Sequence, residues 1–104
     1  GKIAVAPVSL SLMDEAGATE EDMEDIAAFL GQIEGVETSV TIRELAEGGC
    51  KLSVRTSGGL NATKVCARLG GGGHAAAAGC TVSGTLAEAE AAILDAIRQV
   101  EAGA

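Results

Sequence analysis

The spacing of apolar residues switches along this chain between two-residue alternation and helical periodicity, and the switches predict the element order βαββαβα. Ile3 to Leu12 is rich in apolar, β-compatible residues, and Pro7 interrupts its alternation, which suits an edge strand or a bulge. Thr19 stands where an N-cap belongs, with Glu20, Glu21 and Asp22 in the first turn, where the helix dipole favours negative charge. Met23, Ile26, Ala27, Leu30 and Ile33 make the buried stripe of that helix, and Gly35 ends it. Val40 and Ile42 face inward from the next strand, which Glu47-Gly48-Gly49 turns into a hairpin with Lys51 to Ser57. Alternation sets Leu52 and Val54 on one face of this returning strand and Lys51, Ser53 and Arg55 on the other.

Asn61 caps a second helix that carries Ala62, Val65, Cys66 and Leu69 at helical spacing, and Gly70 suits the left-handed residue that ends it. Cys80-Thr81-Val82 resumes as a short strand. The last helix opens with the capping box Thr85-Leu86-Ala87-Glu88 and repeats Leu86, Ala89, Ile93, Ile97 and Val100 along one side. The expectation is an α+β domain in which a mixed sheet of about four strands packs with three helices. No internal repeat or long linker divides the chain, so residues 1–104 read as one domain.

Composition narrows what such a domain can bind. The chain is 47% hydrophobic, enough for a modest core, yet Phe29 is its only aromatic residue. An aliphatic core follows, and the aromatic platform on which single-strand binders stack bases is missing. A net charge of −8 argues against broad binding to a phosphate backbone, because such binding draws on many Lys and Arg side chains. A short or mononucleotide ligand stays open. Cys50, Cys66 and Cys80 lack Cys-x-x-Cys spacing and are odd in number, and no apolar run reaches membrane-spanning length. With no signal peptide read in the sequence, a reduced, cytoplasmic protein without membrane contact is expected. Cys66 and Cys80 read as small core residues, since two cysteines and one histidine without further local ligands make a weak zinc signal. Glu88, Glu90 and Asp95 read as a solvated face.

The candidate chemistry sits in Gly70 to Gly79, where four consecutive glycines run into the only histidine, His74, and then into Ala75 to Ala78. Glycine backbone without Cβ atoms lets N–H groups converge on an anion, and imidazole beside it adds a side-chain donor. Ala75 to Ala78 carry so little bulk that the chain after His74 can pass close to other backbone. A P-loop is excluded, because no strand precedes the glycines and no Gly-Lys-Ser or Gly-Lys-Thr follows them. Arg55 has two readings: a surface charge paired with a carboxylate, contributing under about 1 kcal/mol, or a fork gripping phosphate or a base edge. Thr56, Ser57 and Asn61 add neutral hydrogen-bonding groups, and Asn61 also serves as a helix cap.

The segment GGGGHAAAAG, preceded by Ser53-Val54-Arg55-Thr56-Ser57 and the Asn61 helix, resembles the C-terminal DHH-associated domain of the DHH phosphoesterases. The branch it looks most like is that of the bifunctional oligoribonuclease and phosphoadenosine-phosphate phosphatases. The resemblance runs from about Ile3 to the last helix, with a specific glycine-histidine core and flanks that match only in pattern. It implies substrate binding by Arg55, Ser57, Asn61, Gly71, Gly72, Gly73 and His74, with no catalytic or metal residue and no cofactor in this domain. The resemblance places a manganese- or magnesium-dependent site, including an Asp-His-His triplet, on an N-terminal DHH domain of the same chain. This sequence has no such triplet and begins at Gly1-Lys2 without Met, so it is expected to be an excised, inactive C-terminal domain of a hydrolase.

The expected partners are therefore short RNA or a nucleotide and that N-terminal domain, with a homodimer permitted by an exposed edge strand at Ile3 to Leu12. Two other assignments are consistent with the turn. One is a RecJ-like single-strand exonuclease, against which the acidic surface counts; the other is a non-enzymatic nucleotide-binding or dimerisation module. Short RNA, phosphoadenosine phosphate and cyclic-dinucleotide products are not distinguished as ligands by the residues.

Overall fold

The computed structural model describes residues 2–17, 19–57 and 59–103 and, within them, every side chain except those of Lys2 and Glu20. The elements are β1 (Lys2–Val8), α1 (Leu10–Ala16), α2 (Glu20–Gly31), β2 (Val36–Glu44), β3 (Cys50–Thr56), α3 (Ala62–Ala67), β4 (Gly72–His74), β5 (Ala77–Val82) and α4 (Leu86–Glu101). They build one mixed sheet in the order β1-β2-β3-β5-β4, with β1 parallel to β2 and the remaining pairs antiparallel. The α+β class is as expected. The counts are not: among the described residues the sheet has five strands, and there are four helices.

The extra helix comes from the apolar run Ile3 to Leu12, which splits at Ser9. Its side chain accepts from the Leu12 N–H at 3.1 Å, and the Leu10 N–H donates to Glu44 Oε1 at 2.7 Å, so two donors of the first turn are satisfied. Gly17, at φ 63°, then supplies the left-handed end of α1. Pro7 falls on an edge strand, as its missing N–H requires. The extra strand is β4, built from the glycine run itself. The helix expected to last until Gly35 ends at Gly31, and Gly35, at φ 87°, serves the turn into β2.

Two layers of helices flank the sheet unequally. On one face α3 and α4 cover Val40, Ile42, Leu52, Val54 and Cys80, burying Val65, Cys66, Ala89, Ile93 and Ile97 against them. On the other face α2 lies mainly over β2, where Met23 joins Val8 and Met13 in a small second cluster. Ile33 is 43% exposed and Phe29, the single aromatic side chain, is 66% exposed, so the far end of the expected α2 stripe is not core. α2 reaches β3 only at its edge, where Glu24 meets Arg55, and β5 and β4 lie beyond it on this face.

The three cysteines are buried and free. A hydrogen bond to Cys80, reinforced by burial, pushes the Cys66 thiol up from its ordinary value, and burial does the same at Cys50. The same hydrogen bond draws the Cys80 thiol down, and the three side chains fill small core sites between α3 and β5 and at the start of β3.

Packing of this kind predicts an order of costs. Ile93→Ala, emptying a fully buried site, should destabilise the chain by roughly 2–5 kcal/mol. Phe29→Ala should cost less than about 0.5 kcal/mol despite removing the larger side chain. Urea denaturation followed by circular dichroism measures both, and the reverse order would place the core elsewhere.

Candidate functional site

The glycine run begins by ending α3. Gly70, at φ 83°, donates its N–H to Ala67 O at 3.2 Å, and Gly71 donates to Cys66 O at 2.8 Å, the paired bonds of a Schellman motif. The expected convergence of N–H groups on one anion therefore does not form, because the first two are used within the helix end. The chain leaves instead as β4, an edge strand whose alternate backbone groups point away from the ladder. The tip of the β4–β5 hairpin is held from both sides: Ala62 N–H bonds Ala75 O at 2.8 Å and Thr56 N–H bonds Ala76 O at 2.9 Å.

Three of the glycines differ in what they do. A Cβ on Gly71 would overlap the carbonyl oxygen of Gly79 and lie 2.5 Å from Cys80 Cβ. One on Gly73, at φ 151°, would lie 2.6 Å from Ala78 Cα and 2.7 Å from Ala77 O. Both positions let β4 approach β5. Gly72 has no positive φ and nothing within 4 Å of where its Cβ would stand, so its bareness serves neither packing nor conformation.

Register decides which side chains share a face, since directly paired residues project to the same side of a sheet. Ser39 pairs with Arg55, Arg55 with Ala77, and Ala77 with His74, so these four form one row across β2, β3, β5 and β4. The adjacent row is Thr41, Ser53, Gly79 and Gly72. Arg55 and His74 thus stand two strands apart, roughly 10 Å between Cα atoms, over a floor of Ala77, Gly79 and Gly72 that rises no higher than a methyl group. This floor belongs to the face α2 leaves uncovered. A cleft of about 250 Å³ occupies it, lined by Glu24, Ser53, Arg55, Gly72, Gly73 and Gly79 among others.

Arg55 Nη2 donates to Glu24 Oε2 at 2.5 Å, with both side chains about half exposed. Such a pair contributes under about 1 kcal/mol to stability, but it holds the guanidinium at the cleft wall. Ser57 follows β3, is exposed, and donates its backbone N–H to Glu37 O at 2.8 Å; it lies beside Arg55 in a smaller cleft. Asn61 is placed elsewhere. Its Oδ1 accepts from Lys64 N–H at 3.1 Å as the cap of α3, and it lines a separate cleft with Lys64, Thr38 and Val100. The structure therefore brings Arg55, Ser57, Gly72 and His74 to one face, gives Gly71 and Gly73 to packing, with Gly73 backbone at the cleft edge, and sets Asn61 apart. Ser53 and Gly79 were legible as lining residues from alternation with Arg55 and from the glycine run. Glu24 was not, because a contact 31 residues away carries no local signal.

A family model for the DHHA1 domain matches residues 1–103. The chain belongs to the DHHA1 family. Over 93 residues this DHHA1 domain is 41% identical to the bifunctional oligoribonuclease and PAP phosphatase NrnA of Thermus thermophilus, covering 88% of the chain but only 28% of that relative. Its fold is similar to an exopolyphosphatase-related protein from Bacteroides fragilis, with a TM-score of 0.84 and 26% identity over 93% of this chain and 28% of that one. The C-Ala domain of Aquifex aeolicus alanyl-tRNA synthetase shares the fold at a TM-score of 0.65 and 16% identity, covering 91% of this chain and 89% of that one. Among the described residues no helix is long and apolar enough to cross a membrane.

The contrast among the glycines is testable by calorimetric melting of single variants. Gly71→Ala and Gly73→Ala should each lower stability by about 1–3 kcal/mol through overpacking against β5. Gly72→Ala should stay within about 0.5 kcal/mol of the parent sequence. Equal losses at all three positions would contradict the assignment of separate roles.

Proposed function

We propose that this DHHA1 domain holds the nucleotide for a DHH-family phosphoesterase that hydrolyses short oligoribonucleotides or phosphoadenosine phosphate. The observation that carries the reading is the row that sets Arg55 and His74 on opposite sides of a bare floor. A guanidinium matches phosphate in shape and charge, and a charge-assisted bond to phosphate replaces its bond to Glu24. Imidazole at His74, in the same row at the outer edge of the sheet, supplies a further hydrogen-bonding group. Ala77, Gly79 and Gly72 leave room for a base or sugar to lie against the backbone. The activities in the name of the Thermus thermophilus relative, oligoribonuclease and PAP phosphatase, support ligands of this size.

Charge supports a short ligand as well. Arg43, Lys51 and Arg55 lie on this one face of a chain with seven Lys and Arg in all and a net charge of −8. Attraction is therefore local, and a long phosphate backbone would run into acidic surface. Among the described residues, no three His, Cys, Asp or Glu side chains are grouped so as to hold a metal ion. In this reading the metal and the hydrolytic step belong to an N-terminal DHH domain of the parent protein. The reading places that protein in the cytoplasm, where free buried thiols persist.

Calorimetric titration of the full-length parent with an RNA trinucleotide, divalent metal withheld, tests the site. Arg55→Ala should weaken binding by about 1.5–3 kcal/mol, and Arg55→Lys should restore only part of it. His74→Ala should also weaken binding without lowering the melting temperature, and Gly72→Val should block the floor while the protein stays folded. Wild-type affinity in all of these folded variants would remove the ligand from this face.

The chain on its own, supplied with manganese and a dinucleotide, is expected to release no product. Turnover that persists through repeated purification would place catalytic groups within it.

A further inference from the structure

Beneath Arg55 lies a second, smaller cleft of about 80 Å³, lined by Gly31, Glu37, Ser39, Arg55, Thr56 and Ser57. Its size and charge limit what can enter. A volume of this order holds a hydroxyl-bearing edge or two to three waters and is too small for a nucleobase. The Glu37 carboxylate disfavours a second phosphate. Neutral hydroxyl groups remain.

Ser39 gives the cleft its unusual feature. The residue is 2% exposed and its Oγ has no hydrogen-bond partner, although buried hydroxyls are nearly always paired. It belongs to the same cross-sheet row as Arg55 and His74. Thr56, by contrast, already donates its hydroxyl to Leu60 O at 2.7 Å. An unpaired buried hydroxyl lowers stability relative to the same site with a methyl group, so its partner is best sought in something that binds.

We propose that Ser39, with Ser57 and Glu37 around it, takes the ribose 2′-hydroxyl of the nucleotide whose phosphate Arg55 holds, and so sets a preference for RNA over DNA. The inference rests on the proposed nucleotide site. A 2′-hydroxyl is both donor and acceptor, and in a ribonucleotide it sits on the carbon next to the one bearing the 3′-phosphate, within reach of a cleft that shares Arg55.

The test uses the full-length parent with divalent metal withheld and three trinucleotides of one sequence: RNA, DNA and 2′-O-methyl RNA. Wild-type protein should bind RNA about five- to tenfold more tightly than DNA, the size of one buried hydrogen bond, and should bind 2′-O-methyl RNA no better than DNA. Ser39→Ala should bring the RNA-to-DNA affinity ratio close to one and should melt no lower than wild type. Equal wild-type affinity for RNA and DNA, or undiminished affinity for the 2′-O-methyl strand, overturns the inference without any variant. A ratio unchanged by Ser39→Ala in folded protein also overturns it. Absence of binding to all three strands would instead overturn the nucleotide site on which it rests.

Discussion

The antiparallel ladder that sets β5 between β3 and β4 is the constraint from which the rest of the open face follows. It fixes Arg55, Ala77 and His74 in one row, and it can form only because Gly71 and Gly73 admit the backbone of β5 at distances a Cβ would forbid. A slip of one residue in either pairing would turn His74 or Arg55 to the opposite face. The hairpin tip resists such a slip, since Ala75 and Ala76 carbonyls are tied to the start of α3 and to the end of β3. Small residues thus do two different jobs within ten positions: Gly71 and Gly73 let strands meet, and Gly72 leaves the face bare.

The helix layers complete the arrangement by being unequal. α3 and α4 cover one face of the sheet, where Ile93 and Ile97 fill the space over Val40, Leu52 and Val54. α2 covers β2 and the near side of β3 on the other face, so β5 and β4 stay bare there without leaving the core open. The apolar core and the face of the proposed site therefore lie on opposite sides of the same five strands.

Much of this was legible from local pattern. Alternation placed Arg55 opposite Leu52 and Val54, Asn61 and Thr85 read as caps, and Gly48-Gly49 read as a hairpin, because each depends on residues within a few positions. The first helix was hidden, since Ser9 caps it inside a run whose apolar residues look the same in a strand. The strand Gly72–His74 carried no pattern at all: glycine has no side chain to alternate, and only pairing with β5 makes it extended. The glycines were legible as a feature but not as a geometry, and the expected nest of N–H groups gave way to a helix end followed by an edge strand. Glu24 and Ser39 matter through contacts made across the fold, which no window of sequence displays.

The Arg55–Glu24 pair has a consequence for how any anion reaches this face. The guanidinium is already paired with a carboxylate, so an arriving phosphate exchanges one anion for another and does not neutralise a bare cation. The free energy gained is the difference between two ion pairs, with the released carboxylate returned to water. Fewer small counterions are set free than a count of basic residues implies, which flattens the dependence of affinity on salt. By lending Glu24, α2 would make the proposed site selective through competition: an anion would hold Arg55 only by matching its geometry better than a carboxylate does.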